Sequence, residues 1–254
     1  MVKIAMGMRM KAVLEIEHVT RQFGSVQAVS DLTLSLMPGE VLGFLGTNGA
    51  GKTTTIKMLL GFFKPDHGRV AVFGQDPCCA ATRAMIGYMP ETAYYYPYLN
   101  IDELLSFYGG LCGLSAETMR PRIQMLVERV GLKDAGKRLL RHYSKGMLQR
   151  AGIAQALLND PQILILDEPF TGLDPLARIQ LRDLILELKQ QGKTIFFSSH
   201  ELSEAELMCD RVAIMKAGRL VLDQQMRELV GRGEGNLERI FLKVLAASGA
   251  EVEK

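Results

Sequence analysis

Eight consecutive residues, Gly46-Thr47-Asn48-Gly49-Ala50-Gly51-Lys52-Thr53, fit the spacing G-x-x-x-x-G-K-[ST]. Glycines at this spacing let backbone N–H groups turn toward phosphate oxygens with no Cβ in the way, and a helix beginning near Lys52 adds the positive end of its dipole. Lys52 is then positioned for the β- and γ-phosphates of a nucleoside triphosphate, and the Thr53 hydroxyl for magnesium, with Thr54 continuing the binding segment. The plain alternative is a glycine-rich turn with an exposed lysine; the apolar strand before it and the helix after it leave that reading little room. A second group of residues, Ile163-Leu164-Ile165-Leu166-Asp167-Glu168-Pro169, is an apolar run ending in adjacent carboxylates. Open α/β sheets bind ligands at such strand ends. Asp167 is the expected magnesium ligand, and Glu168 the expected general base that orients and activates an attacking water. Taken alone, Asp-Glu-Pro also reads as a helix start; beside a phosphate-binding loop the two motifs support each other.

The elements that must position these residues can be read from periodicity. Val13 to Leu45 alternates apolar and polar residues, interrupted at Phe23-Gly24-Ser25 and Pro38-Gly39, which predicts short strands joined by turns. Val41 to Leu45 is a compact apolar strand running into Gly46, and Lys52 to Leu60 has helical spacing with Ile56, Leu59 and Leu60 on one side. Further strands are predicted at Arg69 to Phe73, Ala84 to Met89, Gln162 to Leu166, Thr194 to Ser198 and Arg211 to Met215, separated in the second half by helical stretches. That alternation implies an α/β domain with a largely parallel sheet. Between Ile101 and Asn159 the strand signal disappears; Leu104, Leu105, Tyr108 and Leu111, then Ile123, Leu126, Val127 and Val130, recur at helical spacing. This predicts a helical insert, with a basic, turn-like stretch from Leu132 to Arg141, a helix from about Lys145 to Leu158, and a short amphipathic helix over Asn236 to Ala247.

Composition narrows the classes of function. The 254 residues are 48% hydrophobic, ample for a core. Thirty basic and 28 acidic residues leave a net charge of +2, so no strong field favours nucleic acid, which is not an expected partner. Cys78, Cys79, Cys112 and Cys209 lack C-x-x-C spacing and suggest reduced thiols rather than a zinc site or disulfide framework. No apolar run reaches the roughly 18 to 20 residues that span a bilayer, and Lys3, Arg9 and Lys11 flank no signal-peptide core, so a cytoplasmic location is expected. Residues 1–10 hold Met1, Met6, Met8 and Met10 and are expected to form a disordered tail, with Met10 an alternative start.

The stretch Tyr143-Ser144-Lys145-Gly146-Met147-Leu148-Gln149-Arg150 looks like a variant of the L-S-G-G-Q signature of the ATP-binding-cassette (ABC) ATPases, with Ser144 and Gly146 retained. From about Val13 to Leu222 the chain resembles that family. The resemblance implies that the signature starts a helix and contacts a γ-phosphate held by an opposite subunit, as suits a serine hydroxyl and N–H groups at a helix N-terminus. Lys145, at the usual first glycine, would either assist with phosphate or remain solvated. Gly172-Leu173-Asp174-Pro175 resembles the loop that crosses the dimer interface, and Asp174 is counted with the nucleotide-binding residues. His200 resembles the switch histidine that hydrogen-bonds the γ-phosphate, a helix-capping or core histidine being the alternative. Phe23 stands where the family has an aromatic that stacks on adenine, with core packing as its competing use. Glu91 replaces the family's usual glutamine and could approach magnesium and the water, adding negative charge beside the phosphates.

What this resemblance implies is an α/β P-loop NTPase cassette over residues 11–232, with a mainly parallel core sheet, an antiparallel β subdomain and an inserted α-helical subdomain at about 92–160, followed by a short helical extension at 233–254. It implies ATP and Mg2+ as ligands, ATP hydrolysis, and work as the ATPase subunit of a membrane transporter on the inner face of the cell membrane. The expected partners are separate transmembrane subunits and a second ATPase subunit, identical or different. Glu91, the Tyr-Ser-Lys-Gly-Met signature and the short C-terminus resemble the export-type (ABC-2) subfamily. A soluble cassette ATPase acting on ribosomes or DNA is the competing reading; one uninterrupted cassette without a basic tail favours transport. Tyr94, Tyr95, Tyr96 and Tyr98, just before the insert, are expected to receive a helix of the membrane partner, with packing of the insert as the alternative.

Overall fold

The strands that read as unbroken apolar runs are the ones buried on both faces. In the computed structural model, which describes residues 11–231 and 236–247, two antiparallel strands, β1 (Leu14–Phe23) and β2 (Val26–Leu36), lead into β3 (Val41–Gly46) and helix α1 (Lys52–Leu59). Next come β4 (His67–Val72), a short α2 (Ala80–Ala84) and β5 (Ile86–Met89). Three helices follow without a strand: α3 (Ile101–Leu111), α4 (Ala116–Arg129) and α5 (Lys145–Leu157). The chain then alternates through β6 (Ile163–Leu166), α6 (Pro175–Gln190), β7 (Thr194–Ser199), α7 (Leu202–Met208) and β8 (Arg211–Lys216). It continues with β9 (Arg219–Gln225), α8 (Met226–Gly231) and α9 (Leu237–Ala247).

The main sheet has the order β5-β6-β7-β3-β8-β9, parallel except for β9. A smaller antiparallel sheet has the order β2-β1-β4. Every residue of β3, β6 and β7 is buried. Because successive side chains point to opposite faces, each central strand feeds two cores. Val41, Leu45, Leu164, Leu166, Ile195 and Phe197 pack among the helices, while Leu42, Phe44, Ile163, Ile165 and Phe196 pack against α1 and the small sheet.

Helix boundaries follow from capping chemistry. Asn100 begins α3 with a reciprocal capping box, its side chain accepting from the Glu103 N–H at 3.0 Å while Glu103 accepts from the Asn100 N–H at 2.9 Å. Ser144 caps α5 and Asp174 caps α6, each accepting an N–H three residues on, with Pro175 at the start of α6 where a missing N–H costs nothing. The basic stretch read as turns contains two single 3₁₀ turns, Lys133–Ala135 and Leu140–His142.

Three elements were not expected. Helix α2 takes Ala84, assigned above to a strand, and β5 begins only at Ile86. Strand β9 returns antiparallel on β8 through the tight Ala217-Gly218 turn, and its mixed burial explains its weak apolar signal. Helix α8 is short. Residues 1–10, expected to be a tail, and the parts of 233–254 beyond α9 lie outside the described residues. The four tyrosines also divide. Tyr94, Tyr96 and Tyr98 are exposed, whereas Tyr95 turns inward onto Tyr108, ring centroids 6.4 Å apart, and burial pushes its phenol well above the usual range. Tyr95 therefore belongs to the packing of the insert, and the part expected of it in an exposed docking face is corrected. Among the described residues no helix is long and apolar enough to cross a membrane.

The junction between the insert and the main sheet is tight at Gly87, where a Cβ would lie 2.3 Å from the Ala156 carbonyl oxygen and 2.7 Å from Leu164. Gly87→Ala is expected to destabilise the chain by about 1–3 kcal/mol through overpacking. Gly110→Ala, in exposed helical surroundings with nothing within 4 Å, should stabilise it by about 0.5–1 kcal/mol. Urea unfolding of the two variants beside the natural chain checks both signs.

Candidate nucleotide-binding site

Strands β6, β7 and β3 are neighbours and parallel, so their C-terminal ends emerge together at one edge of the sheet. From β3 comes the loop Gly46 to Gly51, from β6 the pair Asp167-Glu168, and from β7 Ser198-Ser199-His200. These ends and the β1–β2 side surround a cavity of about 650 Å3, lined by Val26 to Ala28, Asn48 to Thr54, Glu91, Glu168, Thr171, His200 and Ala217. That size suits a small-molecule ligand.

The loop is shaped for close approach of backbone. Gly49 and Gly51 have φ of 79° and 104°, and a Cβ on Gly51 would lie 2.4 Å from the Ala28 carbonyl oxygen. Lys52 is buried, and its Nζ donates to the Gly46 carbonyl at 2.7 Å and the Thr47 carbonyl at 3.3 Å. The same ammonium lies 3.2 Å from Glu168 Oε1. The other oxygen of that carboxylate, Oε2, faces His200 Nδ1 at 2.8 Å and accepts from the His200 backbone N–H at 3.3 Å and the Thr171 hydroxyl at 3.4 Å. One buried carboxylate thus joins the loop lysine to the histidine at the end of β7.

Ser198 sets the backbone behind this arrangement. Its hydroxyl donates to Asp167 Oδ1 at 2.6 Å and accepts the Glu168 N–H at 2.9 Å, while Glu168 itself has a φ of 49°. A left-handed conformation is uncommon outside glycine and costs of order 1–3 kcal/mol; here it swings the Glu168 side chain toward Lys52. Burial raises the Asp167 carboxyl above its ordinary value, with Glu91 and Glu168 adding to the rise and the Ser198 hydrogen bond and Lys52 opposing it. Nearby, burial pushes the Tyr88 phenol up to about 12, and the charges of Asp167 and Glu91 contribute. Thr53, Asp167 and Glu91 offer only oxygen donors, the set that magnesium takes.

Of the other expected residues, Thr53, Thr54, Glu91 and His200 line the cavity, and Asp167 is buried beside Glu168. Phe23 is not in the lining: its ring meets Phe63 edge-on at 5.5 Å and has the Arg21 guanidinium 4.7 Å from its centroid, leaving Val26, its partner across the hairpin, at the cavity. Ser144, Lys145, Gly146 and Asp174 are also absent from this cavity and gather elsewhere. A Cβ on Gly172 would meet Lys145 Nζ at 2.3 Å, and one on Gly146 would meet Ala177 at 3.0 Å, so the starts of α5 and α6 abut. Residues not singled out from sequence are Val26, Gln27, Ala28, Thr171 and Ala217 of the lining, and Ser198 behind it. A polar residue inside a wholly buried strand could have drawn attention to Ser198; nothing in the sequence distinguishes the others.

Comparison with known proteins gives one consistent result. The family model described as ABC transporter matches residues 29–171. An uncharacterized ABC transporter ATP-binding protein of Synechocystis sp. is 46% identical over 212 residues, which cover 83% of this chain and 60% of that protein. The chain therefore spans less than two thirds of that relative. The Nod factor export ATP-binding protein I of Cupriavidus metallidurans is 36% identical over 223 residues, 87% of this chain and 74% of that protein. A solved ATP-binding subunit of an ABC transporter superposes with a TM-score of 0.82 at 31% identity, covering 92% of this chain and 99% of the other.

The raised Asp167 carboxyl carries a stability consequence. With its folded value above the unfolded one, the fold prefers the protonated form, so the ionised group costs stability above the folded pKa and that cost disappears as pH falls below the ordinary 3.8. Asp167→Asn, which can still accept from Ser198, should raise the thermal midpoint by a few degrees near neutral pH, with the gain shrinking toward acid. Thermal unfolding across a pH series without nucleotide is the measurement.

Proposed function

The chain belongs to the ABC transporter family, and from that premise we propose that it binds ATP with magnesium and hydrolyses it to drive export through transmembrane subunits carried on separate chains. The observation that supports hydrolysis best is Glu168, whose carboxylate lies 3.2 Å from the Lys52 ammonium and 2.8 Å from His200 Nδ1 at the mouth of the phosphate loop. In this reading the loop N–H groups and the N-terminus of α1 hold the β- and γ-phosphates, and Lys52 turns its ammonium from the loop carbonyls to the phosphate oxygens. Thr53 and Asp167, with Glu91, would hold magnesium, which supplies neutralisation of phosphate charge when bound. Glu168 accepts the proton of the attacking water, and His200 orients the carboxylate and donates to the γ-phosphate. The export direction and the position on the inner face of the membrane rest on the likeness to a protein named for export. ABC ATP-binding subunits work with transmembrane subunits and pair as dimers.

A second subunit accounts for the residues outside the cavity. Ser144 Oγ accepts the Met147 N–H at 3.3 Å, which leaves its O–H proton to donate elsewhere. Together with Gly146 and the exposed start of α5, it forms a surface suited to the γ-phosphate of an opposing P-loop. Lys145 stands at the same helix start, its side chain against Gly172. The dimer is then head to tail with two composite sites, formed by two copies of this chain or by this chain and a related cassette.

Two measurements bear on this reading. Glu168→Gln should leave ATP affinity within about twofold and lower turnover by about 10²-fold or more, whereas Lys52→Ala should weaken nucleotide binding itself; titration with ATP beside steady-state hydrolysis separates the two. Near-normal turnover of Glu168→Gln would remove it as the base. In the Glu168→Gln background, ATP should produce a dimer by light scattering, and adding Ser144→Arg should prevent it by putting bulk against the opposing phosphate. Undiminished dimerisation of that double variant would rule out the composite site.

A further inference from the structure

Arg178, one turn into α6, makes contacts in two directions that the hydrolysis reading leaves unused. Its Nε donates to the Leu173 carbonyl at 3.1 Å, inside the Gly172–Asp174 loop, and its two terminal nitrogens grip Glu201, with Nη2 to Oε1 at 2.8 Å and Nη1 to Oε2 at 2.6 Å. Glu201 directly follows His200 and is the N-cap position of α7. Its backbone is fixed in turn by Ser199, whose Oγ accepts the Glu201 N–H at 2.8 Å. One turn further along α6, Arg182 meets the buried Glu204 of α7 at 3.4 Å. Two arginine–glutamate pairs therefore join the first half of α6 to the start of α7. The guanidinium meets the carboxylate through one hydrogen bond, Nη2 to Oε1, and a close charge contact, Nη1 to Oε2, and this two-point contact, with Nε on the Leu173 carbonyl, fixes orientation as well as distance, which a lysine cannot do. The loop held by Arg178 is also the one overlain by Lys145.

We propose that Arg178 is a positioning residue for His200: its fork makes the Gly172–Asp174 loop and the Ser199–Glu201 segment one rigid piece, so that displacement of the loop is delivered to the His200–Glu168 contact. The path runs from Lys145 and the loop through Arg178 and Glu201 to His200, and ends at Glu168 and Lys52. The inference deepens the hydrolysis reading and rests on it. Arg178 touches neither the cavity nor Glu168, so its removal should slow the catalytic step without altering ATP capture.

The test is a cycle of Arg178→Ala, Glu201→Gln and the double variant, with Arg178→Lys beside them, measured for magnesium-dependent hydrolysis, thermal midpoint and amide hydrogen exchange. Arg178→Ala should lower kcat about tenfold with KM within about twofold. The double variant should lose no more than the larger single loss, because the two residues act as one unit. Arg178→Lys should recover only part of kcat. Exchange should rise in the peptide covering Ser199–Leu202 and remain unchanged in β3 and β6. Unchanged kcat, additive losses, a parallel loss of ATP affinity, or unchanged exchange at Ser199–Leu202 would each overturn the positioning role. Should Arg178→Ala unfold, the Glu201→Gln and Arg178→Lys results decide by the same criteria. A natural chain without magnesium-dependent turnover overturns the hydrolysis reading as well, whereas turnover with additive losses overturns the positioning role alone.

Discussion

A carboxylate that is almost wholly withdrawn from solvent must be compensated, and the compensation of Glu168 organises the site. Taking one ion out of water costs several kcal/mol even after relaxation, and losing one partner of a buried pair is more damaging than the pair is stabilising. Glu168, 6% exposed, divides the task between its oxygens: Oε1 faces the Lys52 ammonium, and Oε2 faces the His200 ring, the His200 N–H and the Thr171 hydroxyl. Lys52 follows the loop after β3 and His200 follows β7, while Thr171 lies three residues on from Glu168 in its own loop. If the ends of β3, β6 and β7 were not brought together, the charge would be stranded.

The sheet meets this requirement through register. Leu45 of β3 lies beside Ser199 of β7, and Leu166 of β6 beside Phe197, so the three strands end within a few residues of one another along the same edge. The strands can be parallel and adjacent because both faces are covered, by helices on one side and by α1 with the small sheet on the other. Burial of the sheet also lowers the local dielectric, which strengthens the contacts of Lys52 and Glu168 and raises the Asp167 carboxyl through the same desolvation. The left-handed turn at Glu168, held by Ser198, is the local strain that this arrangement tolerates.

Ser144 and Asp174 have a structural use beside the chemical one proposed for them. Both cap helices, and a cap alone is a sufficient reason for serine or aspartate at those positions. Their clustering on a surface apart from the cavity of the same chain is what makes a role toward a second subunit economical. The same loop carries Leu173, whose carbonyl is tied through Arg178 to the residue after His200, so that surface and the cavity edge are connected within one chain.

Much of this could be read from residue order. The loop Gly46–Thr53 and the apolar run ending in Asp167-Glu168 carry their chemistry in local spacing, and alternation of apolar strands with helical periods requires a parallel α/β sheet. The helical insert was legible because helical spacing persists over several turns without a strand signal. Edges were not: β9 is half exposed and α2 is a single turn, so neither has a periodic signature. Phe23 occupies the sequence place of an adenine-stacking aromatic, and only the structure shows that its exposed ring lies outside the cavity lining, edge-on to Phe63 and with the Arg21 guanidinium nearby, while its hairpin partner Val26 reaches the cavity. Tyr95 and Tyr96 are adjacent and alike in sequence, but one packs on Tyr108 and the other is exposed. The two hydrogen bonds of Ser198 span 30 and 31 residues in the chain, and the Arg178–Glu201 contact spans 23. By itself, then, the sequence determined the class of fold and the family, and it carried the loop and carboxylate motifs on which the proposed chemistry rests, since these depend on neighbours along the chain. Tertiary structure alone decided which distant groups hold that chemistry in place, because burial and strand register bring them within hydrogen-bond reach.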